Sequence, residues 1–432
     1  MERKIEKQLL SWKNRLTRLP LILQGARQVG KTYSLLQFGR RYYRDVAYFN
    51  FEASLELQRI FDRDLNPSRL IRELSALTSA SVIHEDTLVI FDEIQACERA
   101  LTSLKYFAEE TPQYHIAAAG SLLGVAINRE SHSYPVGKVE LLTLYPLDFE
   151  EFLLAQGKES AVEVIRESFL LNIPCSLHQS LMDQYRIYIG VGGMPQVLNE
   201  FLTSADYNFV MALQKNIIGA YISDMAKHAS ATETVRIMAV FNSLPAQLAK
   251  ENRKFQYKTI KSGGRAYHYE TAIDWLTASS TVVKCLKINK GEAPLVSHCE
   301  ADSFKIYMAD TGLLCSSYSI SPTVFQQESA AWQSIKGILA ENFVANALVA
   351  NHFIPYYWES EGKAELDFVI QNRTGEVIPI EVKSSDNIRS KSLQQFITKY
   401  NPPWSLRISA KNFGYENNIK SIPLYAVFCL TN

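Results

Sequence analysis

Short apolar runs alternate with amphipathic stretches over the first third of the chain. The run at 88–91 is apolar at every position, which is typical of a parallel strand covered by helices on both faces. Between the runs, apolar residues three or four positions apart predict helices. We predict strands at 19–24, 46–51, 87–92 and 115–119. The alternation indicates an α/β domain with a parallel sheet over residues 1–155.

The pattern changes in the rest of the chain. Residues 160–245 have mostly helical spacing, and the segment 281–288 is the strongest strand of the middle region. That strand predicts a short β-ribbon, with Gly263 and Gly264 as its turn. Another α/β unit follows, with a helix at 338–351 and strands at 355–359, 364–370 and 377–383. We therefore predict three domains, over 1–155, 156–330 and 331–432.

Composition and charge narrow the class of protein. The chain has 45 basic and 45 acidic residues, a balance that excludes a histone-like protein or an acidic tail. Its six cysteines form no C-x-x-C pair, and no Cys/His cluster has zinc-site spacing. No apolar run approaches the ~18 residues of a membrane span, and the first residues are too charged for a signal peptide. We expect a cytoplasmic protein without a membrane partner.

A phosphate-binding loop follows the first predicted strand. Residues 25–32 fit the pattern G-x-x-x-x-G-K-[ST] and precede a predicted helix, which is the context that the motif requires. Lys31 would reach the β- and γ-phosphates of ATP, and Thr32 would bind Mg²⁺. We expect the nucleotide to be held by Gly25, Ala26, Arg27, Gln28, Val29, Gly30, Lys31, Thr32 and Tyr33.

Two adjacent carboxylates end the third predicted strand. Asp92 would hold the Mg²⁺, and Glu93 would orient and deprotonate the attacking water. Ser121, at the end of the fourth strand, is either a γ-phosphate sensor or part of a plain strand-ending turn. With the loop, these residues predict a Mg²⁺-dependent ATPase whose catalytic residues are Lys31, Asp92, Glu93 and Ser121.

Several segments together resemble bacterial and archaeal AAA-family ATP-binding proteins with a C-terminal domain of unknown function. In chain order these segments are residues 25–32, 91–95, 120–123, 144–152, 192–195, 306–314 and 379–383. The resemblance implies an AAA-type domain followed by a helical lid and a winged-helix domain. The family usually has Gly-Arg before the Leu-x-Pro-Leu stretch, where this chain has Gly137 and Lys138. Since Lys does not clamp phosphate as Arg does, the basic trigger residue stays open, with Arg129 as the alternative.

Basic residues concentrate in the middle region. Residues 250–265 hold six Lys or Arg and a single acid, Glu251, with Tyr257 among them and Tyr267 beside them. In a winged helix, such residues would contact nucleic-acid phosphates. The alternative is a solvated helix face and loop. DNA is therefore one expected partner, with a protein partner or a second copy of the chain as others.

Carboxylates recur on the predicted C-terminal strands. Glu381 and Lys383 are two apart on one strand and share a face, and Asp367 lies on the neighbouring strand. Glu341 on the preceding helix would complete the group. The arrangement resembles the PD-(D/E)xK nuclease fold, which implies a second metal site formed by Glu341, Asp367 and Glu381, with Lys383 beside it. The alternative is a nuclease-derived scaffold used for binding or assembly.

Three functions stay open at this point. The first is an ATPase that acts as a conformational switch on the winged-helix and C-terminal regions. The second is an ATP-regulated nuclease for DNA or RNA. The third is a DNA-binding regulator in which ATP only stabilises the fold.

Overall fold

The computed structural model describes residues 1–78, 82, 84–121, 135–250, 253–326, 329–360, 364–385 and 391–432. The chain separates into two compact units. The first comprises residues 2–145 with 278–280, and the second comprises residue 1, 146–277 and 281–432.

The first unit contains a five-stranded parallel sheet, which confirms the predicted α/β fold. The strand order is β2-β3-β4-β1-β5, and every neighbouring pair is parallel. The strands are β1 (Leu21–Gln24), β2 (Asp45–Asn50), β3 (Thr87–Asp92), β4 (His115–Ala119) and β5 (Glu140–Thr143). The helices are α1 (Ile5–Lys13), α2 (Lys31–Tyr42), α3 (Leu55–Arg63), α4 (Pro67–Ala76) and α5 (Glu98–Glu110).

The core of the first unit is built on β3, whose six residues are all buried. Phe91 on this strand makes edge-to-face ring contacts with four other phenylalanines, from β2 and the helices beside it. The helical stretch after β2 is divided into α3 and α4, because Asn66 caps α4 with its side chain and Pro67 occupies the first turn. A fully buried central strand fixes the position of its last residue, Asp92, at the carboxyl edge of the sheet.

The described helices of the second unit lie mainly in its first half, as the apolar spacing predicts, and the last three lie in its second half. They are α6 (Phe149–Ala155), α7 (Glu159–Leu171), α8 (His178–Val191), α9 (Pro195–Ser204), α10 (Tyr207–His228), α11 (Ala231–Leu248), α12 (Tyr257–Ile260), α13 (Glu270–Ala278), α14 (Thr311–Ser317), α15 (Ala330–Ala350) and α16 (Lys391–Tyr400). Within the described residues, no helix is long and apolar enough to span a membrane.

An eight-stranded mixed sheet forms the rest of the second unit. Its order is β12-β13-β11-β10-β9-β8-β6-β7. The strands are β6 (Val282–Ile288), β7 (Cys299–Met308), β8 (Tyr356–Ser360), β9 (Ala364–Gln371), β10 (Val377–Val382), β11 (Ser405–Ser409), β12 (Gly414–Glu416) and β13 (Ile419–Pro423). β10, β11 and β13 are parallel neighbours, so their carboxyl ends lie at one edge.

The predicted β-ribbon exists, but its predicted turn is wrong. The ribbon pairs β6 with β7, and its connection runs through residues 289–298. Gly263 and Gly264 instead follow α12, where Gly264 packs against the Tyr257 carbonyl. β6 also pairs with β8, so one sheet joins strands from both sides of residue 330. The three-domain division stays a prediction.

Candidate nucleotide site

The loop before α2 has the backbone geometry that a phosphate cradle requires. Gly25 and Gly30 have φ values of 144° and 93°, which side-chain-bearing residues rarely adopt. A Cβ on Gly25 would lie 2.2 Å from the Leu144 carbonyl oxygen, so glycine is needed there for space as well. Gln28 is also left-handed, at φ 65°. The loop therefore turns tightly from β1 into α2, whose first N–H groups face the end of the sheet.

Lys31 lies over this loop, although its side chain is only 8% exposed. Its ammonium donates to the carbonyl oxygens of Gly25 at 3.0 Å and Ala26 at 2.8 Å. Arg3 supports the loop from α1's side: its guanidinium donates to the carbonyls of Val29 at 2.9 Å and Tyr145 at 2.6 Å. No sequence pattern indicates this role of Arg3, because the role depends on a contact between distant segments.

Thr32 and Asp92 meet at the carboxyl edge of the sheet. The Thr32 hydroxyl lies 3.0 Å from both carboxylate oxygens of Asp92. Tyr48 on β2 donates to Asp92 Oδ2 at 2.7 Å. Burial, reinforced by this hydrogen bond, raises the pKa of Tyr48 to about 12, so its hydroxyl keeps its proton. The role of Tyr48 could not be predicted from the sequence, because nothing in the pattern distinguishes it from other aromatic residues on strands.

Glu93 follows β3 directly, and Ser121 lies two residues after the end of the neighbouring strand β4. Glu93 is left-handed, at φ 49°, and its carboxylate accepts a hydrogen bond from Gln95. Ser121 is buried and follows β4. A non-glycine residue in this conformation is uncommon and directs the Glu93 side chain away from the line of the strand. β3 and β4 are parallel neighbours, so the residues that follow them leave the sheet at one edge.

The remaining predicted loop residues differ in exposure. Ala26 and Val29 are buried, and Arg27 is half-buried. Tyr33, on the first turn of α2, is 52% exposed. Ala26 and Val29 are therefore part of the unit's core, whereas Tyr33 presents its ring to solvent.

Of the two candidates for the basic trigger, the structure describes Lys138. Lys138 pairs with Glu109 of α5, at 3.0 Å between Nζ and Oε1. Arg129 lies outside the described residues. The identity of a trigger residue stays open.

The C-terminal carboxylates belong to a network of buried charges. Glu341 on α15 is paired with the buried Lys305 at 3.1 Å, accepts a hydrogen bond from Tyr307 at 2.5 Å and is contacted by Arg253. Lys305 also pairs with Glu365, at 2.5 Å. Burial raises the pKa of Tyr307 well above its ordinary value, so it stays a donor. The Glu341 carboxylate is thus paired with two cations of the same unit, Lys305 and Arg253.

Asp367 lies on β9, Glu381 lies on β10, and Lys383 follows β10. Asp367 accepts a hydrogen bond from the Val382 backbone at 2.8 Å, and Glu381 pairs with Lys383 at 2.5 Å. Burial alone would lower the pKa of Lys383, but the Glu381 carboxylate outweighs it and raises that pKa. In the part of the chain that the structure describes, no group of three or more His, Cys, Asp or Glu is arranged to hold a metal ion. The second metal site with Glu341 stays a prediction.

The basic middle segment divides into two sets. Arg253 and Lys254 are paired with Glu341 and Glu359 of the same unit. Exposed positions are held by Lys258, Lys261 and Arg265. The two sets cannot be distinguished in the sequence, because the acidic partners of Arg253 and Lys254 lie about a hundred residues away.

Comparisons with known proteins bear mainly on the first unit. Residues 17–153 match a family described as an AAA domain. Residues 182–323 and 336–427 match two families, described as Domain of unknown function (DUF8612) and Domain of unknown function (DUF4143). No curated protein matches the chain.

Solved structures resemble the chain only distantly. The Walker-type ATPase PABY2304 of Pyrococcus abyssi is 14% identical, with a TM-score of 0.44 over 73% of this chain and 95% of that chain. The ORC1 protein of Aeropyrum pernix in complex with DNA is 11% identical, with a TM-score of 0.32 over 74% of this chain and 93% of that chain. These likenesses are too weak to carry an argument. The family match, the phosphate loop and the five-stranded parallel sheet identify an AAA-type P-loop ATPase domain within the chain.

Proposed function

We propose that the first unit hydrolyses ATP with Mg²⁺ and that this turnover switches the state of the second unit. The loop N–H groups and Lys31 bind the phosphates, and Thr32 and Asp92 hold the metal. Glu93 takes the proton of the attacking water, and Ser121 contacts the γ-phosphate. The observation that carries the proposal is the meeting of the Thr32 hydroxyl with both Asp92 oxygens, 3.0 Å from each, beside the loop.

The donor set of this site fits Mg²⁺. Hydroxyl and carboxylate oxygens are hard ligands, and one or two of them suffice when phosphates and water complete the shell. When bound, Mg²⁺ supplies positive charge against the phosphate oxygens. Tyr48 orients Asp92 through its hydrogen bond of 2.7 Å, and Arg3 fixes the loop through the Val29 carbonyl.

A metal-dependent binding measurement tests this site. ATP affinity of the wild type is measured by calorimetry with Mg²⁺ and with a chelator. We expect Mg²⁺ to strengthen binding in the wild type and not in Thr32→Val, which keeps the shape and removes the hydroxyl. Thr102→Val on α5, whose hydroxyl donates to the Glu98 carbonyl, is the matched control. Equal responses of the three proteins to Mg²⁺ contradict the assignment.

The switch is supported by the segment that follows β5. The Leu144 N–H donates to the Gln24 carbonyl at 2.8 Å, and the Leu144 carbonyl packs on Gly25. Three residues later, the Leu147 N–H donates to the Gly193 carbonyl at 2.7 Å, and both of these residues belong to the second unit. We propose that the continuous backbone from Leu144 to Leu147 transmits a change at the loop to residues 190–195. We expect hydrogen exchange at 190–195 to differ between the ATP and ADP states; identical exchange would contradict the switch.

DNA contact is the second candidate function, favoured by the exposed basic residues Lys258, Lys261 and Arg265. Tyr267, beside them, is 67% exposed. The order α11, α12, α13 and the β6–β7 ribbon fits a winged helix. Filter binding of duplex DNA across a salt series tests this, because each lost phosphate contact lowers the salt slope by about one. We expect Lys258→Gln and Lys261→Gln to reduce the slope; retention that is independent of salt, or absent, contradicts DNA contact.

Among the readings of the C-terminal carboxylates, the ion pairs favour a scaffold over a nuclease. Lys305 and Arg253 already neutralise Glu341, and Lys383 pairs with Glu381. We expect the purified protein to leave DNA and RNA uncut with Mg²⁺ or Mn²⁺, with or without ATP. Cleavage that disappears in Asp367→Asn would establish the nuclease alternative.

A further inference from the structure

A cavity in the second unit opens at the carboxyl ends of three parallel strands. Its volume is about 390 Å³, and it is bordered by α8, α15 and the segments that follow β10, β11 and β13. Ser384 and Ser385 follow β10, Ala410 follows β11, and Leu424 follows β13. Crevices outside the carboxyl ends of parallel strands are the usual ligand sites of α/β sheets.

The polar side chains of this cavity are suited to an anion. Arg186 on α8 and Lys336 on α15 supply positive charge, and Ser384 and Ser385 supply hydroxyl donors. None of its described lining residues is Asp or Glu. Lys336 makes no ion pair with any described residue, so its charge has no protein counter-ion there. Two cations and two hydroxyls, with no carboxylate among the described lining residues, are groups that bind a phosphate.

Apolar side chains of the same two helices also line the cavity. Met182 and Tyr185 contribute from α8, and Trp332 and Ala340 contribute from α15. Tyr185 and Trp332 are 2% and 5% exposed, so their rings are held in place by packing. The volume is at the lower end of the range of small-molecule pockets. A ligand that fits has one phosphate and one compact body with an apolar face, such as the base of a nucleotide.

We propose that this cavity binds the 5′-phosphate of a single nucleotide, either a free nucleoside monophosphate or the phosphorylated end of a nucleic-acid strand. The site is separate from the phosphate loop and does not depend on ATP turnover. It also uses none of the paired carboxylates, because Glu341, Asp367 and Glu381 do not line it.

The test removes the phosphate loop as a competing site. In the whole chain carrying Lys31→Ala, binding is measured for AMP, adenosine and a single-stranded oligonucleotide with and without a 5′-phosphate. We expect AMP or the phosphorylated strand to bind and their unphosphorylated counterparts to bind at least about tenfold more weakly, since a charged hydrogen bond is lost. Tighter binding of AMP identifies the free nucleotide as the source, and tighter binding of the strand identifies the strand end.

Two further variants locate the site. Lys336→Gln should weaken binding by about 10- to 100-fold, and Lys215→Gln, an exposed lysine of α10 outside the cavity, should leave it unchanged. Thermal unfolding of both variants verifies that they fold. The proposal is overturned if adenosine binds as well as AMP, if no phosphorylated probe binds, or if the folded Lys336→Gln protein binds like its control.

Discussion

Replacing Lys305 by Met should destabilise the second unit strongly. Lys305 is fully buried and pairs with Glu341 at 3.1 Å and Glu365 at 2.5 Å. Its removal leaves Glu341, 2% exposed, with Arg253 and Tyr307 only. Removing one partner from a buried group of charges costs about 3–5 kcal/mol, because the desolvated carboxylate that remains loses part of its attraction to cations. The retained Arg253 contact places the expected loss at the lower end, about 3 kcal/mol.

Urea unfolding monitored by circular dichroism measures this loss. Lys284→Met is the matched control in the same sheet, since its partner Asp274 is 67% exposed and 3.7 Å away. An exposed pair of that kind contributes about 0–1 kcal/mol. The double variant Lys305→Met/Glu341→Met should recover much of the loss, because it removes the uncompensated charge. If Lys305→Met costs no more than Lys284→Met, the charge network does not stabilise the fold as we argue.

Three further predictions follow from individual residues. Gly25→Ala should lower ATP affinity at least about tenfold and destabilise the first unit, because its Cβ would lie 2.2 Å from a backbone carbonyl; Gly137→Ala, with open space at a φ of 69°, should cost only about 1–2 kcal/mol in thermal unfolding. Burial lowers the pKa of His115 to about 3, so the unfolded chain takes up the proton first, and the first unit should lose about 2 kcal/mol between pH 7 and pH 5. Burial raises the pKa of Asp310 to about 6, so the folded second unit takes up the proton first and should gain about 1 kcal/mol over the same interval. Pulse proteolysis with fragments assigned to each unit measures both pH effects; shifts of the same sign in the two units would refute them.

The elements predicted best from sequence are those whose residues are buried on every side. β3 and β4 match their predicted bounds, and all of their residues are buried. β5 was missed, because its four residues are partly exposed and it is held as an edge strand by pairing with β1. The order of the strands in the eight-stranded sheet could not be predicted from the sequence either, because β6 and β8 pair across about seventy residues.

The candidate sites show the same division. The phosphate loop and Asp92 were predictable, because each is identified by residues next to it in the sequence. Arg3 and Tyr48 were not, because their contacts depend on tertiary packing. The C-terminal carboxylates were predicted by spacing alone, and spacing carries no information on Lys305 and Arg253, which neutralise Glu341 from other elements.

Steady-state ATP hydrolysis by the wild type, Lys31→Ala and Glu93→Gln tests the central claim most directly. We expect Mg²⁺-dependent turnover in the wild type and its loss in Lys31→Ala, together with weaker ATP binding. Glu93→Gln should still bind ATP and hydrolyse it about 10²–10⁴-fold more slowly, because only the base is removed. Turnover that persists unchanged in Glu93→Gln would contradict the assignment of the base. Turnover that persists in Lys31→Ala would contradict the account of the phosphate loop itself.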